Sequence, residues 1–338
     1  MRSIERQRPQ RRTALSLVLA LLAFTVSPPS MAADATAVLT QKLLDGNYSR
    51  RGADICLRCH DDTFPFPTAM VFHTVHGQPT HPEAPFAPPA DSTPPAGLQC
   101  EACHGPIDEH GKQILADDET RQEMLAYGSR GNVETSLQNG MCLNCHEHYR
   151  RLHWDGSAHE TAGLACADCH QIHAFVDKVR RIGEQVDRCT GCHTDVAADM
   201  LKRSAHPLRD SQLICVNCHE PHGDVGDHLT KHATVNDTCY TCHAEKRGPM
   251  LFEHPPASED CTICHEPHGS NQPALLARRP PQLCQGCHSS AGHRSLPQLT
   301  DQLPAGTSVS QFLVGKGCLN CHAEVHGSNH PSGDRLRR

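Results

Sequence analysis

One sustained apolar run interrupts an otherwise polar chain, from about Ala14 to Val26, and no second run of this kind follows. Residues 1–12 ahead of it carry five Arg and one Glu, and Ser30-Met31-Ala32-Ala33 closes it with small residues. A charged start, a short apolar middle and a small-residue end predict a secretory signal over residues 1–33, cleaved near Ala32 or Ala33. The run is short for a membrane-spanning helix of about 20 residues, which argues against an uncleaved anchor. Beyond it apolar positions are sparse, and 25 Pro and 24 Gly punctuate the chain. That pattern predicts short helices and turns rather than long helices or sheets. Residues 78–97, rich in Pro and Ala, read as an exposed loop.

Composition sharpens the difficulty of building a core. Apolar residues make up 37% of the chain and aromatics 4%, with a mean hydropathy of −0.51. Ordering a chain requires buried apolar area to offset lost conformational entropy, and this chain supplies little of it. By composition alone it would pass for partly disordered. The 20 Cys and 27 His argue otherwise and imply that something besides side chains fills the interior. Loss of residues 1–33 would take the formal charge from −7 to −11. An acidic chain without a basic footprint is not a nucleic-acid binder.

The cysteines fall into ten Cys-x-x-Cys pairs with none left over, and each pair is followed at once by His. In chain order they are Cys56, Cys59 and His60; Cys100, Cys103 and His104; Cys142, Cys145 and His146; Cys166, Cys169 and His170; and Cys189, Cys192 and His193. The second five are Cys215, Cys218 and His219; Cys239, Cys242 and His243; Cys261, Cys264 and His265; Cys284, Cys287 and His288; and Cys318, Cys321 and His322. This is the c-type haem attachment signature. Two thiols add across the porphyrin vinyl groups as thioethers, and the adjacent His is held under the iron as proximal ligand. Zinc knuckles have no reason to demand His after every pair. Redox Cys-x-x-Cys motifs usually occur singly, and structural disulfides need no such regularity. Ten covalently bound haems are therefore expected.

Ten His are proximal on this reading, and seventeen remain. The mature chain has five Met, namely Met70, Met124, Met141, Met200 and Met250, so Met cannot supply the sixth ligand throughout. His must supply most of them, which predicts low-potential, six-coordinate irons without an open site. That expectation opposes an enzyme. Multihaem reductases keep one open iron, in some families on a Cys-x-x-Cys-Lys motif, and no such variant occurs here. Several His recur in fixed settings. His173 lies three residues after His170, and His222 and His268 lie three after His219 and His265 within Cys-His-Glu-Pro-His-Gly. His206 and His254 precede Pro shortly upstream of a motif, His76 and His326 precede Gly, and His159 follows Trp154 closely. These are the distal candidates. His73, His81, His148, His153, His228 and His232 have no comparable setting and read as ordinary surface or hydrogen-bonded residues.

First cysteines are spaced 44, 42, 24, 23, 26, 24, 22, 23 and 34 residues apart, close to periodic at about 24 in the middle. The expected fold class is a multihaem cytochrome c. It has little regular secondary structure, with short α-helices and loops wrapped around a chain of ten haems and a short helix leading into each motif. Two pentahaem halves are expected, residues 34–200 and 201–338.

The stretches between the motifs carry a more specific resemblance. They are Gly46-Asn47-Tyr48-Ser49 with Gly52-Ala53-Asp54, Gly97-Leu98-Gln99 before Cys100, and Gly105-Pro106 after His104. Val235-Asn236-Asp237-Thr238, Ala244-Glu245-Lys246-Arg247-Gly248-Pro249 and His326-Gly327-Ser328-Asn329-His330-Pro331-Ser332-Gly333 continue it. In these the chain resembles the periplasmic decahaem cytochromes of the MtrA/PioA/DmsE type, outer-membrane electron conduits. The resemblance covers nearly all of the mature chain. It implies distal ligands at His76, His110, His159, His173, His206, His222, His254, His268, His293 and His326, with His330 surplus. It also implies a periplasmic location and a wire of bis-His haems. MtrA-type members sit in an outer-membrane β-barrel porin-like partner and exchange electrons with periplasmic or inner-membrane cytochromes and an outer-surface cytochrome, in extracellular iron reduction or oxidation. A compact domain of this length is about 50 Å across, from a radius of gyration of about 19 Å, against about 40–45 Å for a bilayer with headgroups. The alternatives are a soluble periplasmic carrier to a terminal reductase and a multihaem reductase.

Overall fold

The computed structural model describes residues 31–49, 51–61, 67–81, 84–87, 98–107, 110, 124–128, 131–148, 151–289, 293, 317–331 and 333–337. The apolar run at 14–26 lies outside the described residues, as does the Pro/Ala-rich stretch from 88 to 97. The first described helix is α1 (Met31–Asp45).

Among the described residues no strand forms. Four isolated bridges, such as Ser204 with Ser270 and Phe252 with Ser328, are the only ladder pairing. Helices are short because they are cut by motif, Pro and Gly. Their placement alternates. The odd-numbered motifs close or continue a helix: α2 (Ala53–Cys56), α4 (Thr135–His146), α7 (Ile182–Thr190), α9 (Val235–Tyr240) and α11 (Gln282–Gln285). The even-numbered motifs are themselves a single turn, α3 (Glu101–His104), α6 (Cys166–Cys169) or a 3-10 turn at Cys215–Asn217, Cys261–Ile263 and Cys318–Asn320. The expected helix leading into every motif is thus present only at alternate ones. Ala165, Ile214, Asp260 and Gly317, each just before an even motif's first Cys, are extended, so no helix can run into it. The remaining helices, α5 (Ala158–Thr161), α8 (Thr194–Asp199) and α10 (Pro255–Glu259), lie between motifs.

Buried amides bind an odd helix to the even turn that follows. In α4, Asn139 accepts the Cys166 N–H at 2.8 Å and donates to the Leu164 carbonyl at 3.1 Å. In α9, Asn236 accepts the Cys261 N–H at 2.7 Å and donates to the carbonyls of Ala257 and Ser258. In α7, Gln185 accepts the Val216 N–H at 3.3 Å and donates to the Val179 carbonyl. Near the N-terminus Gln99 and Glu101 do similar work, accepting the N–H groups of Ala53 and of Ser49 and Ile107. A buried amide that satisfies both its own polar atoms and the neighbouring backbone replaces the strands this fold lacks.

Apolar packing is thin. Leu39 of α1 meets Leu125 and Val133, and Ala53 meets Val71 and Phe86. Across residues 151–289, described without a break, the buried apolar side chains are Trp154, Ala165, Val186 and Met200. Four side chains cannot serve as the core of such a stretch, so its interior is the space between histidines and cysteines.

Candidate haem sites

Every motif His faces one other His ring. The pairs and their ring-centroid separations are His60–His110 at 6.3 Å, His76–His146 at 5.9 Å, His104–His173 at 6.1 Å, His159–His193 at 6.1 Å and His170–His222 at 6.0 Å. The others are His206–His243 at 6.4 Å, His219–His268 at 6.0 Å, His254–His288 at 6.1 Å, His265–His326 at 6.2 Å and His293–His322 at 6.3 Å. A metal–imidazole bond of about 2.0–2.1 Å sets two trans rings with centroids about 6.3 Å apart, so each gap has the size of an iron with a ring on either side. Among the described residues no cluster of three or more His, Cys, Asp or Glu could hold a metal ion alone. Two facing rings with a thiol pair alongside fit an iron that brings its own four porphyrin nitrogens.

The ring protons are arranged for this. Nδ1 of His104 donates to the Leu125 carbonyl at 2.8 Å, His159 to Pro221 at 2.8 Å, His206 to Pro267 at 2.7 Å, His219 to His228 at 3.0 Å and His254 to Val325 at 2.8 Å. His265 donates to Ala274 at 2.8 Å and His322 to Arg335 at 2.6 Å. A carbonyl only accepts, so the proton sits on Nδ1 and Nε2 is left bare for a metal. His170 and His222 donate instead to Asp177 and Glu220, at 2.6 and 3.1 Å. Nδ1 of His173 is buried without a hydrogen bond of good geometry, although the nearby Thr68 backbone pulls its pKa upward against burial. Burial, the main cause in each case, lowers the pKa of His76, His104, His146, His173, His222, His268 and His326 and so favours the neutral ring a metal needs.

The thiols place the motifs in chain order. Hydrogen-bonding contact with Cys100, Cys166, Cys215 and Cys261 pushes up the thiols of Cys56, Cys142, Cys189 and Cys239 respectively. Burial, and then Cys318, raises Cys284. The same contacts draw Cys215 and Cys261 down to about 7. Burial raises Cys103, Cys169, Cys218 and Cys264, and the second thiols of the following motif, Cys145, Cys192, Cys242 (with the first thiol, Cys239) and Cys287, add to the rise. Each motif therefore abuts the next, through first cysteines from odd to even and through second cysteines from even to odd.

Which ring faces which motif reveals a unit of two motifs. The His between the two motifs of a unit faces the odd motif of the following unit: His76 faces His146, His159 faces His193, His206 faces His243 and His254 faces His288. The His after a unit's even motif faces the even motif of the preceding unit: His173 faces His104, His222 faces His170, His268 faces His219 and His326 faces His265. Neighbouring units thus exchange two rings. His110 and His293 differ, each facing a motif of its own unit at a chain end. The residue before a returned His, Pro221, Pro267 or Val325, gives its carbonyl to the forward His, locking the exchange. Gly223 and Gly269 follow returned His, and a Cβ at either would collide with the backbone carbonyl of His153 or Asp199.

One curated relative, "Multiheme cytochrome MtrA" of Shewanella baltica (strain OS185), is 45% identical over 303 residues, covering 89% of this chain and 86% of that protein. The chain belongs to the MtrA family of multihaem cytochromes. Residues 206–248 and 254–293 each match the family described as doubled CXXCH motif, and residues 100–192 match the family of cytochrome c-type protein NrfB-like. The doubled-motif matches run from each forward His, His206 or His254, through two motifs. "C-type polyheme cytochrome OmcB" of Geobacter sulfurreducens is 24% identical over 246 residues, 60% of this chain and 32% of that longer protein. An MtrA-type chain binds c-type haem and transfers electrons rather than transforming a substrate, as the motif pattern led one to expect.

The ten His expected as distal partners are the ten that face motif rings. His73 packs instead against Phe175, with ring centroids 6.3 Å apart, and His148 lies at the surface beside Glu147. His228 lends its backbone carbonyl to His219. The hydrogen-bond acceptors Asp177 and Glu220 and the amides Asn139, Gln185 and Asn236 were not singled out from sequence. The amides could have been, since each stands three or four residues before an odd motif's first Cys.

Proposed function

We propose that this chain is a ten-haem wire with His on both sides of every iron, working in the periplasm and passing electrons across the outer membrane from inside a β-barrel partner. The observation that carries the reading is the facing of every motif His by one further His across an iron-sized gap. Two axial rings close an iron, leaving no position for a substrate, so the chemistry available is electron uptake and release. Adjacency of each motif to the next supports passage along the chain from Cys56 to Cys318. The covalent attachment of c-type haem through thioethers matches an exported protein, as the expected signal over residues 1–33 does. Residues Cys56 through Cys321 of the ten motifs would hold the haems, their motif His as proximal and the facing His as distal ligands.

No helix of the described residues is long and apolar enough to cross a membrane. A polar chain at bilayer depth must be shielded from lipid, which is what a barrel wall provides. Periplasmic or inner-membrane cytochromes would meet one end of the wire and an outer-surface cytochrome the other. The test is electron transfer into sealed vesicles. With the chain and its barrel partner reconstituted together, an enclosed acceptor is reduced by an external donor. Transfer that is absent from the reconstituted pair, with cells retaining normal respiration after barrel deletion, would favour a soluble carrier to a terminal reductase instead.

A further inference from the structure

The ring pair His170–His222 differs from its neighbours in what holds it. Its centroids are 6.0 Å apart and its planes 8° apart. His170 donates to Asp177 Oδ2 at 2.6 Å, and that carboxylate also accepts the Gln171 N–H at 3.3 Å. His222 donates to Glu220 Oε1 at 3.1 Å, and the Glu220 side chain is only 8% exposed. Elsewhere in the unbroken stretch 151–289, His159, His206, His219, His254 and His265 all donate to backbone carbonyls. The carboxylates are not an automatic product of the motif. Glu266 occupies the same place in the second Cys-His-Glu-Pro-His-Gly, yet it is exposed and makes no hydrogen bond to His268 among the described residues. Glu245 lies 3.8 Å from His243 Nδ1, beyond hydrogen-bond reach, with both side chains more than half exposed.

A carboxylate that accepts the ring N–H draws imidazole toward imidazolate and makes it a stronger donor to a metal. A richer donor, and an anion close by, favour the ferric over the ferrous state. Here both axial positions would receive the same push. Arg151 beside His222 and Arg188 beside Cys169 act in the opposite sense, but through space rather than through the ligand. We propose that Asp177 and Glu220 are tuning residues that make the haem between His170 and His222, fourth along the chain, the low-potential point of the wire. An electron moving in either direction climbs a step there. The exchange is one electron for one electron with the adjoining haem, and no proton leaves His170 or His222. The inference rests on the ligand reading proposed above.

The experiment uses the full-length, haem-loaded protein with Asp177→Asn and Glu220→Gln, singly and together. Both changes keep an amide oxygen for the ring N–H and remove the charge. In spectroelectrochemical titration the lowest-potential component is expected to rise by about tenfold in its one-electron equilibrium per single variant, roughly 59 mV, and further in the double variant. A lowest component that stays in place overturns the assignment. His222→Ala, measured by its ferric spin state, separates the two layers of inference. A high-spin signal worth one haem, with carboxamide variants that leave the lowest component unmoved, sinks the tuning alone. A wholly low-spin His222→Ala protein removes the ligand reading and the tuning with it.

Discussion

A carbonyl that accepts from Nδ1 fixes a tautomer before any metal arrives, and nine of the ligand candidates are held by a carbonyl or carboxylate in this way. Rings held like this lose little orientational freedom when an iron binds between them. His268 is a test of the closed site, since it faces His219 and burial, its main influence, lowers its pKa. His268→Ala should open one iron of the ten. After reduction, carbon monoxide is expected to bind about one tenth of the haem, against none in the parent protein. Unchanged insensitivity to carbon monoxide would mean that His268 is not a ligand. At this scale the sequence was most legible where chemistry is local. Thioether attachment and the proximal ligand lie within five consecutive residues, so spacing alone carries them. The ring facing His60 is that of His110, and the ring facing His265 is that of His326, separations no local pattern encodes. Eight of the facing rings were recognisable by recurring settings, whereas His110 and His293 came from the family resemblance alone.

Alternation between a helix that ends on an odd motif and a bare turn that carries an even one depends on the buried amides between them. Asn236 is 5% exposed and serves Cys261, Ala257 and Ser258 at once. Asn236→Ala would remove three hydrogen bonds that tie α9 to the partly exposed backbone at 257–261, at a cost of about 0.5–1.5 kcal/mol for each. We expect a lowered melting temperature, with the backbone around Cys239 and Cys261 cut first on partial denaturation; mass spectrometry of limited-proteolysis fragments would locate the cleavage. A melting curve indistinguishable from the parent would show that the amide is dispensable. The regular spacing of about 24 residues pointed to a one-motif unit with one helix each. It misled about the element because sequence spacing registers the covalent pitch, while the helix depends on the residues before the first Cys, extended at every even motif from Cys166 onward.

For the whole molecule the exchange of rings between units matters most. Truncation after residue 293 removes Cys318, Cys321 and His322, and with them the tenth attachment site. It also removes His326, the ring that faces His265. The truncated protein is therefore expected to carry nine haems, one of them, at Cys261, newly high-spin. A nine-haem protein that stays wholly low-spin would contradict the exchange. The boundary expected between residues 200 and 201 falls within the third unit, between its two motifs, and the His170–His222 pair spans it.

The exchange also restricts how such a chain can change length. An inner unit gives one ring forward and one back, and receives one from each side, so its own account of ligands is closed. On the ligand reading proposed above, insertion or deletion of a complete inner unit would leave every iron with two rings, whereas gain or loss of a single motif would strand a ring or open an iron. His110 and His293 are the exceptions, since each turns inward to a motif of its own unit. On the same reading they close the first and fifth units, and wires built from such units should come in even numbers of haems.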